Sequence, residues 1–105
     1  KMMSIALYHK HYNAEHLEAV KKEMEVMGAP EIRAIWSEMY GLWMAVEGCH
    51  RIRAAKELGL EPVIIDISED EITMIQDDGD DIEVEVADLA EVLTDNVYKT
   101  EIINF

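Results

Sequence analysis

The sequence predicts an α+β domain built on a small mixed sheet with a few flanking helices. Three observations carry this. Apolar runs of strand length alternate with two stretches of helical periodicity, Gly residues punctuate both helices, and half of the 105 residues are apolar while 30% are charged. That composition suits one folded domain over residues 1–105, with a modest core and no need of disulfides.

"Ser4-Ile5-Ala6-Leu7-Tyr8" reads as a short strand. Asn13 is placed as the N-cap of a helix, and Leu17, Val20, Met24 and Met27 recur at helical spacing as its buried stripe. Gly28 is expected to close that helix as a left-handed cap, and Pro30 keeps it from resuming. The runs Glu31–Trp36 and Leu42–Val46, joined by a short link ending in Gly41, predict a hairpin. Trp36 and Trp43 on its strands read as core or interface residues. A second helix follows from Cys49, with Ile52, Ala55 and Leu58 on one face and Gly59 as its C-terminal cap. The nearly continuous apolar run Pro62–Ile67 predicts a central buried strand. In the acidic remainder, Ser68-Glu69-Asp70-Glu71 has the pattern of a capping box opening a short helix over Ile72–Gln76. Asp77–Asp81 predicts a solvated turn, Ile82–Val86 a half-exposed strand, Ala87–Leu93 a helix and Tyr98–Ile103 a last strand.

Charge divides the chain. Residues 1–67 carry 8 Lys/Arg against 10 Asp/Glu, whereas residues 68–105 carry one Lys against 13 Asp/Glu, out of a net charge of −14. An acidic segment of this kind repels a phosphate backbone, so direct DNA binding is not expected. It suits instead a docking surface for a basic protein partner. The lone Cys forms no internal disulfide, and no apolar run reaches membrane-spanning length. A cytoplasmic protein is the expectation.

The chemistry concentrates in "Val46-Glu47-Gly48-Cys49-His50-Arg51-Ile52-Arg53". A strand that ends in Gly and turns at once into a helix presents unpaired N–H groups and the positive end of the helix dipole to an anion. Gly48 leaves room for close approach to the backbone, while His50 and Arg51 add side-chain donors. Arg53 follows Cys49 by one helical turn. Cys49 reads two ways: a thiol whose helix position and two neighbouring arginines favour thiolate, or a small buried hydrophobe. His9, His11, His16 and His50 have no completing carboxylate or Cys spacing, so no metal site is assigned.

Those residues, set between a hairpin and "Leu58-Gly59-Leu60-Glu61-Pro62-Val63-Ile64-Ile65", resemble the ParB/sulfiredoxin superfamily over roughly residues 4–67. ParB-type members have Gly-Glu-Arg-Arg before an Ala-rich helix here, sulfiredoxins have Gly-Gly-Cys-His-Arg, and free serine kinases have an Asp-Gly-His-His-Arg version. The resemblance implies a pocket for ATP or another nucleotide, with or without Mg²⁺. Gly48, His50 and Arg51 then hold the phosphates, with Arg53, one turn beyond Cys49, as a further candidate cofactor-binding residue, and the first helix covers one side. It also implies Cys49 as a catalytic thiol, because the matching Cys of sulfiredoxins attacks a phosphorylated sulfinic acid. Glu47 stands where sulfiredoxins have Gly and is nearer the kinase-like acidic residue, a general base or a Mg²⁺ ligand. Aligned on the family helix, His16, Ala19 and Glu23 face the nucleotide. Two other classes stay open: a ParB-like partition or regulatory module, and a non-catalytic acidic interaction domain.

Overall fold

The computed structural model describes residues 2–105. Its elements are strand β1 (Ser4–Ala6), helix α1 (Ala14–Met27), strands β2 (Glu31–Ser37) and β3 (Leu42–Ala45), helix α2 (Cys49–Leu58), strands β4 (Val63–Asp66), β5 (Ile72–Asp77) and β6 (Asp80–Glu85), helix α3 (Val86–Asn96), a 3₁₀ turn (Val97–Lys99) and strand β7 (Ile102–Asn104). Five strands form a mixed sheet in the order β4-β2-β3-β1-β7, and β5 and β6 pair separately. The α+β class is therefore observed. β2 and β3 form the expected antiparallel hairpin with Trp36 opposite Trp43, their rings edge to face at 5.0 Å. β1 runs parallel to β3, and β4 parallel to β2.

Side chains alternate across the sheet, so each face has its own core. One face sets Ile5, Leu7, Ile32 and Ala45 against Cys49 and Ile52 of α2. Helix α1 covers α2 in turn, packing Leu17, Val20 and Met24 on Ala54 and Ala55. The other face sets Ala6, Ile35, Leu42 and Met44 against Val86 and Val97, with Leu89 and Leu93 of α3 packed alongside. α1 starts as its sequence predicts: the Asn13 side chain accepts from the His16 N–H at 2.9 Å.

Five expectations are corrected. Met27 leaves the buried stripe and is 81% exposed, because the residues that cover Leu17, Val20 and Met24 do not extend to it. Gly28 has φ 83° but ψ −163°, so the chain leaves α1 extended rather than through a left-handed turn. β4 is an edge strand, not a central one, with Val63 half exposed and only β2 beside it. Ser68 opens no helix: its Oγ accepts from Trp36 N–H at 2.8 Å, its N–H donates to Asp66 Oδ1, and Ile72–Asp77 is a strand. The Asp78-Gly79 pair, with φ of 50° and 83°, makes a tight two-residue turn that commits both flanks to a hairpin. Tyr98 lies in the 3₁₀ turn, and the last strand begins only at Ile102.

Candidate functional site

The site is the junction from β3 into α2. Gly48 is at φ 77° and ψ 32°, the left-handed region that side chains with a Cβ rarely adopt. A Cβ there would also sit 2.7 Å from Ile32 Cδ1 and 3.1 Å from Arg51 Nη2. The space expected at Gly48 for a ligand is thus taken by its neighbours. The Ile52 N–H is the first to close a helical turn, donating to Gly48 O at 2.8 Å. The N–H groups of Cys49, His50 and Arg51 have no partner within the helix. This first turn lines an open cleft of about 1250 Å³, walled also by α1, β5 and α3.

Cys49 does not have the exposed, acidified thiol expected of a nucleophile. It is 2% exposed, packed among Ile5, Leu7, Ile32 and Ile52. Burial pushes its thiol up, against the opposing pull of the Tyr8 and His9 N–H groups, the Tyr8 hydroxyl and, more weakly, Arg53. Burial, together with the adjacent Cys49, also raises the Tyr8 phenol to about 12. At the first position of α2 the side chain points back into the core, so the helix start faces the cleft while its thiol does not.

Glu47 is not a free base. Arg33 Nε and Nη2 donate to its two carboxylate oxygens at 3.0 and 3.2 Å, and Arg51 Nη2 lies 3.6 Å from Oε1. Burial pushes the carboxyl up, but the Arg33 hydrogen bonds and the charges of Arg33 and Arg51 outweigh it and hold the group below its ordinary range. Arg33 Nη1 also donates to Thr73 Oγ1 at 2.6 Å, tying β5 to the main sheet. Arg51 is fixed at the cleft rim by Glu47 and by donating to Glu31 O at 2.9 Å.

His50 Nε2 accepts from the Asn13 N–H at 3.0 Å, which places the ring proton on Nδ1. Burial lowers its pKa, and neighbouring His16, His9 and His11 with Arg53 add to this. The ring packs edge to face on His16 at 4.5 Å. His50 therefore faces the cleft as a neutral group with one donor. Arg53 does not join the loop. It pairs with Glu101 Oε2 at 2.7 Å, donates to Lys10 O and stacks on Tyr12 at 4.4 Å. One turn along α2 has carried it to a separate cavity of about 350 Å³ beside β7. Of the first-helix residues aligned toward a nucleotide, His16 and Glu23 line the cleft and Ala19 does not. Among the described residues, no three His, Cys, Asp or Glu side chains are grouped to hold a metal ion. No helix there is long and apolar enough to cross a membrane.

No protein-family model, characterised protein or solved structure matches the chain.

The residues that organise the site but escape sequence reading are Arg33, Tyr8 and Thr73. Arg33 sits mid-strand in an apolar run, where an arginine signals a buried partner but not which one. Thr73 and Asn13 contact the site from 40 and 37 residues away from their partners, separations at which no local pattern operates.

Proposed function

We propose that the chain binds a phosphorylated small molecule, a nucleotide being the best-fitting class, with its phosphate at the N–H groups of Cys49, His50 and Arg51 and on the Arg51 guanidinium. The observation that carries this reading is the first turn of α2 opening into the cleft with Arg51 fixed at its rim. The likeness of Glu47–Arg51 to the ParB/sulfiredoxin loop supports it. Val20, Met24 and Leu89 line the same cleft and offer an apolar bed for a base. Glu23, Glu31, Glu47 and Asp81 line it as well, against only Arg33 and Arg51. A phosphate already neutralised by Mg²⁺ meets less repulsion there than a free one.

The reading is one of binding. Cys49 is buried and Glu47 is held by Arg33, so neither is offered as a catalytic group. Glu47 acts by orienting Arg51. Thermal shift against ATP, ADP and pyrophosphate, with and without Mg²⁺, tests the proposal. At least one ligand should raise the melting temperature, and Arg51→Ala should weaken its binding roughly 10- to 100-fold, the loss of about 1.5–3 kcal/mol for a charge-assisted contact. No shift with any of them refutes the reading.

A further inference from the structure

The C-terminal part of α1, β5 and α3 all line the same cleft, and each presents an uncovered apolar side chain to it: Met27 is 81% exposed, Val92 56% and Met74 44%. Clustering three such residues on one concave surface is unusual for a monomer, where exposed apolar side chains are normally scattered singly. The volume of about 1250 Å³ exceeds what most small ligands fill, so a ligand at α2 leaves room for a protein segment beside it. Methionine suits such a surface because its unbranched side chain adapts to different partners.

Charge names the occupant. Glu23 lies one turn before Met27 on α1, and Asp81, opposite Gln76 in the β5–β6 hairpin, lines the wall as well. Glu31 and Glu47 line it too, and Lys99 is the single cation of residues 68–105. The cleft's own cations, Arg33 and Arg51, both pair with Glu47. An apolar floor with an acidic border complements a helix that is apolar on one side and basic on the other.

We propose that this apolar lining, away from the first turn of α2, docks a basic amphipathic helix from a partner protein. It is distinct from the phosphate reading, which rests on the first turn of α2. The test uses the full chain and a fluorescein-labelled helical peptide of about 14 residues, with Leu at i, i+3, i+4 and i+7 and Lys elsewhere. Its anisotropy is titrated at about 150 mM salt. A scrambled peptide of the same composition is the reference. Binding should be at least about tenfold tighter for the amphipathic order than for the scrambled one. Met27→Lys and Val92→Lys should each weaken it at least about tenfold, while Val26→Lys, a fully comparable charge change at an exposed α1 position that does not line the cleft, should leave it nearly unchanged. All three sites are well exposed, and circular dichroism checks that the variants fold. Equal binding of both peptides, or wild-type binding by Met27→Lys and Val92→Lys, overturns the proposal by reducing it to adsorption on an acidic surface. Arg51→Ala should keep peptide binding and Val92→Lys should keep the nucleotide shift, so the two readings fail separately.

Discussion

Gly48→Ala is the sharpest probe of how the α2 junction is built. Holding a residue with a Cβ at φ 77° costs about 1–2 kcal/mol. The new methyl would also lie 2.7 Å from Ile32 Cδ1, in a fully buried cluster that cannot open without moving β2, and overpacking of this kind adds about 1–3 kcal/mol. Arg51 Nη2, at 3.1 Å, is the end of a flexible side chain and gives way with little penalty. The total, about 2–5 kcal/mol, is a large share of a stability of about 5–15 kcal/mol. Ile32→Val deletes the Cδ1 that the new methyl meets, itself costing about 0.5–1.5 kcal/mol. The double variant keeps the backbone penalty but loses the collision. It should therefore be more stable than the sum of the single variants by about 1–3 kcal/mol. Urea unfolding followed by circular dichroism gives all four corners of the cycle. Additivity within about 0.5 kcal/mol would refute the steric account and leave φ as the sole reason for glycine.

Cys49 should resist iodoacetamide at neutral pH in the folded protein and react at the rate of a model thiol once urea unfolds it; fast labelling of the native chain would contradict its burial. Glu47 has a depressed carboxyl pKa, so its contribution is fully present above the ordinary carboxylate range and lost as pH falls through the lower, folded value. Glu47→Gln should lower stability at pH 7 by about 1 kcal/mol, discounted for partial exposure, and flatten the acid limb of the stability profile; an unchanged limb would show that the Arg33 pair carries no pH dependence. Arg33→Ala removes the link from β2 to β5 through Thr73, and should speed amide hydrogen exchange across residues 72–85 at least tenfold while sparing α2, a contrast corresponding to about 1.4 kcal/mol of local opening. Uniform acceleration would mean the hairpin is not a separately held unit.

Much of this molecule is written in short-range patterns. Asn13 caps α1, Leu17, Val20 and Met24 bury one stripe, the β2–β3 hairpin closes where Gly41 allows it, and Gly48 and Gly59 bracket α2. Each depends on residues within a turn or two of one another, where capping, periodicity and positive φ act directly. The misreading of Ile72–Gln76 shows the limit of such patterns. A capping-box motif and an Asp-Gly hairpin signal competed over the same residues, and Ser68 was drawn away by Trp36, 32 residues distant. The candidate site divides in the same way. The glycine, the helix start and Arg51 were legible in order along the chain, and so was the acidic charge of residues 68–105. The sequence did not reveal that Cys49 points inward, that Arg33 claims Glu47, that Arg53 turns to Glu101, or that β4 lies at an edge. A thiol's burial and a carboxylate's partner are set by what other segments bring across the sheet, and β-branched strands look alike at the centre and at the rim. Local propensity chose the elements; long-range packing and the need to pair half-buried charges decided what each side chain faces.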